Sequence, residues 1–122
     1  LQPQSSQRKR NKPMTAVFNC PVEASLSIIG GKYKAIILWH LMNGTLRYSE
    51  LRRLLPQATP KMLTQQLREL ENNRIIHREV YPVVPPKTEY SLTEYGKSLS
   101  AIIQAMCDWG NQYMSGQIHQ AS

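Results

Sequence analysis

Between Thr59 and Leu92 the apolar residues change their spacing once, and that change leaves few folds open to the chain. Leu63, Leu67 and Leu70 recur at i, i+4 and i+7, the stripe of an amphipathic helix. Thr59-Pro60 supplies its start, because a threonine hydroxyl caps orphan N–H groups and proline fits the first turn. The spacing predicts a helix from there to about Asn73. After Asn72-Asn73-Arg74 the pattern becomes that of strands. Ile76 to Val83 and Thr88 to Leu92 are rich in β-branched and aromatic residues with alternating polar positions. Val84-Pro85-Pro86-Lys87 between them reads as the proline-stiffened tip of a two-stranded hairpin.

Upstream, Leu51, Leu54 and Leu55 share one face of a helix predicted over Tyr48 to Leu55, and Pro56-Gln57-Ala58 breaks it. Two helices about a three-residue turn, the second capped and longer, form a helix-turn-helix unit. The hairpin that follows is then a wing. Before the unit, Val22 to Ile29 reads as a short helix closed by Gly30-Gly31. Lys32 to Met42 reads as another, with Ile36, Ile37, Leu38 and Leu41 inside, and Leu46-Arg47 as a minimal strand. Thr93 opens what reads as one long final helix, with Leu99, Ile102, Ile103 and Met106 on one face, extending toward Tyr113. The expected fold is mainly α with a small β-hairpin wing. One domain over 17–115 follows a flexible basic arm over 1–16 and precedes a tail over 116–122.

A winged unit places its second helix in the major groove and its wing on the neighbouring backbone. With Leu63 taken as inward, Lys61, Gln65, Arg68 and Asn72 fall within about 40° of the opposite face, with Thr64 at the flank. Gln and Asn pair with adenine edges, Arg with guanine, Lys and Thr with phosphates or bases. Thr59 and the first amides of that helix suit a backbone phosphate. Arg52 and Arg53 on the preceding helix, and Arg78 and Lys87 in the hairpin, are further phosphate candidates. Such a face can also be plain solvated surface; the hairpin, the turn spacing and the charge favour nucleic acid.

That charge is +7, from 15 basic and 8 acidic residues. Arg8, Lys9, Arg10 and Lys12 lie in the arm, and without them 11 basic residues still face 8 acidic ones. A surplus of this sign points to a polyanionic partner. Enzymatic chemistry is not expected. The chain offers no nucleophile–base pair or paired carboxylates, and Gly30-Gly31-Lys32 lacks both the spacing of a phosphate loop and its Ser/Thr. His40, His77 and His119 stand at no metal-ligand spacing with each other or with Cys20 and Cys107, so neither a metal site nor a cofactor is expected. Two lone cysteines in place of several bridges favour the cytoplasm, and with no long apolar run and no secretory-type stretch near the start neither a membrane span nor secretion is expected.

The stretch from Cys20 to Trp109 resembles the HxlR family of bacterial winged-helix regulators, relatives of the broader MarR group. Cys20-Pro21-Val22-Glu23, the runs 29–34, 46–51 and 61–71, the run from Pro85 to Leu99, and Trp109-Gly110 carry the likeness. They follow in the same order over roughly 90 residues. Tyr33 stands where many relatives have Trp. The resemblance implies a sequence-specific regulator of transcription, expected to repress. It would act as a homodimer, built from the first and last helices, on a pseudo-palindromic duplex site. Leu99, Ile102, Ile103, Met106 and Trp109 are then the interface candidates, with Ile28 and Ile29 opposite; the other reading is that they only cover their own core. Some members that look like this family sense oxidants or electrophiles through a cysteine at the Cys-Pro position. Cys20 is accordingly a sensor candidate, and the alternative is an inert thiol; Cys107 reads as packing. A small ligand between the dimerisation helices and the DNA-binding unit is the other route to control. The alternative function is a winged-helix module that binds protein rather than DNA.

Overall fold

The computed structural model describes residues 16–119, so that of the arm expected over 1–16 only Ala16 falls within them. The order is α1 (Pro21–Ile29), α2 (Lys34–Leu41), β1 (Leu46–Arg47), α3 (Tyr48–Leu54), α4 (Pro60–Asn72), β2 (Ile76–Tyr81), β3 (Lys87–Leu92), α5 (Glu94–Lys97) and α6 (Ser100–Tyr113), then a 3-10 turn over Ser115–Gln117. β3 is the centre of a three-stranded antiparallel sheet, with β2 on one side and β1 on the other. The minimal strand pairs Leu46 with Tyr90 and Arg47 with Glu89. This ties the start of the helix-turn-helix to the wing.

Leu63, Leu67 and Leu70 of α4 are fully buried, as their spacing predicts. They meet Ile37, Leu38 and Leu41 from α2, Leu51 and Leu55 around α3, Ile75 and Ile76 at the entry to the wing, and Ile103 from α6. Thr59 caps α4 by accepting the Met62 N–H at 3.1 Å. The far end closes in a Schellman arrangement. Ile75 N–H donates to the Leu70 carbonyl and Arg74 N–H to that of Glu71, with Arg74 at φ +63°. Leu70 and Ile75 are both buried there, which fixes the angle at which the chain leaves the helix.

Four expectations need correction. The final helix is two pieces, because Gly96 of α5 is pressed against the Ile75 carbonyl and the chain turns at Ser98 and Leu99 before resuming as α6. Leu54 is exposed, since Leu51 and Leu55 alone fill the space under the short α3. Ile36 is also exposed, on the side of α2 that faces a cleft beside α6. β2 ends at Tyr81 rather than Val83, where Pro82 has no N–H to continue the ladder; the last pair is Tyr81 with Lys87.

Candidate nucleic-acid interface

Lys61, Thr64, Gln65, Arg68 and Asn72 are all exposed on α4, on the side away from its leucine stripe. Four of them, with Pro60, line one shallow concavity. Thr64 and Arg68 also line a second, shared with Glu71, Arg78 and Tyr90, so the outer face of α4 continues onto the sheet. A third concavity continues between the start of α3 and the wing, lined by Arg47, Tyr48, Ser49, Arg78, Lys87 and the loop over 83–86. The Tyr48 hydroxyl lies 3.3 Å from Thr64 Oγ1 and joins α3 to α4 on this side. Arg47, Tyr48 and Ser49 were not singled out from sequence. Their signal is the minimal strand β1, whose pairing with β3 sets them beside the wing.

The structure does not bring every candidate together. Arg52 and Arg53 are exposed on α3 but line none of these concavities. Arg78 Nε pairs with Glu71 Oε1 at 3.2 Å. Lys87 Nζ stands 3.8 Å from Glu89 Oε2 and 4.8 Å from the centre of the Tyr81 ring. Both wing cations therefore have partners within the chain, and a phosphate would compete with exposed, weakly held carboxylates. Thr59 Oγ1 is already committed to its cap.

The two carboxylates that could spoil α4 are neutralised. Glu71 is held by Arg78, and Glu69 by Lys34 at 2.7 Å, the Lys34 side chain only 8% exposed and that of Glu69 16%. Gln66 faces the same way, its Oε1 accepting the Tyr33 N–H at 3.0 Å beside Gly31, where an added Cβ would meet the Gln66 amide. The inner flank of α4 is thus locked onto the start of α2, and the outer face is left to cationic and amide groups. Burial pushes the Tyr90 phenol upward; Glu71 adds to this and Arg78 and Arg68 oppose it.

The candidate interface helices differ. Ile102, Met106 and Trp109 are exposed along one stripe of α6, which Tyr113 continues, its ring centred 5.3 Å from that of Trp109. Ile103 does not belong to that surface. It is 3% exposed because it points into its own core, against α2. Leu99, Ile28 and Ile29 are half-buried against the same core. Val22 and Leu26 of α1 are exposed instead, an i, i+4 pair that the sequence reading passed over. Cys20 is exposed at the N-cap of α1, its Sγ accepting the Glu23 N–H at 3.4 Å; Cys107 is half-buried. Ala35, Ile36, Trp39, Ile103, Met106 and Cys107 border an apolar cleft of about 330 Å³. Among the described residues no group of His, Cys, Asp and Glu is placed to hold a metal, and no helix is long and apolar enough to cross a membrane.

A capped helix with a polar outer face, seated on a helix-turn and flanked by a hairpin, is the arrangement of a winged helix-turn-helix. The model of the HxlR-like helix-turn-helix family matches residues 28–118. The chain belongs to that family. The HTH-type transcriptional regulator YdeP of Bacillus subtilis is 58% identical over 94 residues, 77% of this chain and 73% of YdeP. Among solved structures, the redox regulator HypR in its oxidised form superposes with a TM-score of 0.74 at 54% identity, covering 76% of this chain and 96% of HypR. The reduced form of the transcriptional regulator YodB from B. subtilis gives 0.66 at 38% identity, covering 80% and 96%. This HxlR-type chain is a DNA-binding transcriptional regulator, and its family is not one of enzymes.

Proposed function

We propose that this HxlR-type regulator binds a pseudo-palindromic duplex site as a cytoplasmic homodimer and represses by occupying it, with α4 in the major groove and the wing on the flanking backbone. One observation carries the reading. Five polar, non-acidic side chains of α4, Lys61 through Asn72, share an exposed face whose two neighbouring carboxylates are paired inside the chain. Gln65, Arg68 and Asn72 are the base-reading candidates. Lys61, Thr59, Arg52, Arg53, Arg78 and Lys87 supply phosphate contacts. The dimer forms through the α6 stripe Ile102, Met106 and Trp109, with Tyr113 and the α1 pair Val22 and Leu26 continuing it. An exposed apolar surface of this kind on a small domain calls for a partner, and two-fold pairing supplies one.

Control acts through Cys20. Its exposed thiol lies two residues before Val22, so an adduct there would disturb the α1 side of the dimer. The relationship to HypR, a redox regulator, supports this. The apolar cleft beside Cys107 favours a second route, a small effector wedged between α2 and α6.

Selection of bound duplexes from a random pool, with sedimentation of the protein and its complex, tests the reading. Expected are a dimer, paired half-sites about one helical turn apart, and affinity that falls steeply with salt. A monomer that ignores duplex at low ionic strength would overturn it. Salt-insensitive capture of a protein in place of DNA would establish the interaction-module alternative.

A further inference from the structure

Gln65 is tethered. Its Nε2 donates to Glu69 Oε2 at 3.3 Å, while Glu69 Oε1 is held by Lys34 Nζ at 2.7 Å. The three form a chain running from the interior of the domain to the exposed face of α4. Lys34 is buried, with its side chain 8% exposed, so the carboxylate is gripped from behind and its second oxygen occupies a fixed place. An ionised carboxylate only accepts hydrogen bonds. The Gln65 amide must therefore turn its nitrogen toward Glu69, and its orientation follows from chemistry.

We propose that Lys34 and Glu69 are positioning residues that make Gln65 an adenine reader and bar it from guanine; this rests on the reading that α4 enters the major groove. The amide nitrogen has two hydrogens. One is taken by Glu69, which leaves one N–H and the carbonyl oxygen side by side. That donor–acceptor pair complements N7 and the N6 amino group of adenine. Guanine shows two acceptors in the same places, N7 and O6. An unrestrained glutamine can swing its whole NH2 group toward them, but a tethered one meets O6 with its own carbonyl oxygen. The tether thus converts a tolerant side chain into a discriminating one.

The test uses the full chain and duplexes from the random selection. Gln65→Ala locates the base pair that Gln65 reads, as the position where preference disappears. Competition binding at fixed salt then compares A·T with G·C at that pair. The intact protein is expected to favour A·T by roughly tenfold. Lys34→Met/Glu69→Leu replaces the buried ion pair with apolar groups, a change that cores often accept. It should reduce the preference below about threefold while affinity for random duplex and its salt dependence stay unchanged. Glu69→Gln should go further. The new amide gives its oxygen to Lys34 and its NH2 to Gln65, whose own amide then inverts and presents NH2 outward, shifting preference toward G·C. A merely structural role for Glu69 would change stability and overall affinity but not this ratio. If Gln65→Ala alters the selected site while both Glu69 variants keep the parental A·T preference, the inference is overturned and the groove reading stands. If Gln65→Ala alters no position of the site while Arg68→Ala does, the inference falls and the groove reading stands; if neither alters it, the placement of α4 fails as well.

Discussion

The carbonyl oxygen of Ile75 accepts two hydrogen bonds from Thr93, one from its backbone N–H at 3.1 Å and one from its hydroxyl at 3.1 Å. The hydroxyl's one proton is shared between that carbonyl and the nearer Arg74 carbonyl at 2.7 Å, and its oxygen accepts the Gly96 N–H at 2.9 Å as the cap of α5. One threonine therefore fastens the exit of α4 to the entry of the C-terminal helices. Any shift of the exposed α6 stripe relative to α4 has to pass through or around this junction.

Gly96 is what lets the junction close. A Cβ at this position would run into the Ile75 carbonyl, which is backbone and cannot turn away. Gly96→Ala should destabilise the domain by about 1–3 kcal/mol, the usual range for overpacking a tight contact. Urea unfolding should show a lower midpoint with an unchanged slope. An unaltered midpoint would mean that α5 is free to move off Ile75.

Arg74 presents the opposite case. It occupies the left-handed region at φ +63°, the C′ position of a Schellman motif where glycine is free of the Cβ penalty. Its N–H bond to Glu71 and the Ile75 bond to Leu70 do not involve the side chain. Arg74→Gly should stabilise the domain by up to about 1 kcal/mol, the strain outweighing the added freedom of the unfolded chain. Thermal unfolding would register this as a modest rise in Tm.

Glu71 restrains Arg78 at 3.2 Å, in a pair whose side chains are 36% and 45% exposed respectively. Such pairs hold weakly in water. Glu71→Gln removes a negative charge from the α4–wing junction and frees the guanidinium. Affinity for random duplex should rise, and its log–log salt slope should steepen by about one counterion. Filter binding across a salt series measures both, and a slope equal to the parent's would show that Arg78 reaches no phosphate.

Much of this is legible in the amino-acid sequence itself. Leu63, Leu67 and Leu70 declared α4 because a 3.6-residue period has one buried face, and the exposed face followed by rotation. The wing is legible from the β-branched and aromatic residues that follow Asn73 and from the prolines between the two strands. Lys34 was not legible, since a lysine reads as surface until a carboxylate from another helix is brought to it. The break between α5 and α6 was hidden too. It comes from Gly96 docking on Ile75, a contact between segments that local periodicity does not see. Ile102 and Ile103 are adjacent on a helix with apolar residues on two sides, and only packing against α2 assigned Ile103 to the core.

Cys20 carries two roles that substitution separates. Its Sγ accepts the Glu23 N–H at the start of α1, and its thiol is open to solvent. Cys20→Ser keeps an acceptor at the cap, since serine is a preferred residue there. Stability and duplex affinity should be unchanged, while loss of DNA binding on treatment with an electrophile should vanish. Gel shifts with and without electrophile check this. A serine variant that still responds would move the sensing to another group, with Cys107 next in line.

The α6 helix offers the last separation, between a residue that holds the domain and residues proposed to hold a dimer. Ile103 is 3% exposed, whereas Met106 and Trp109 are 50% and 57% exposed on the neighbouring stripe. Ile103→Ala removes buried volume and should cost about 2–5 kcal/mol of stability, yet leave the subunit contact in place while the protein is folded. Met106→Glu puts a charge where two apolar stripes would meet. It should leave the monomer's fold intact by circular dichroism, shift sedimentation to the monomer, and weaken operator binding far more than random-duplex binding, because only a dimer engages both half-sites. If Met106→Glu sediments as the parent does, the stripe is not the subunit interface, and the pairing of α4 helices must be sought through another face.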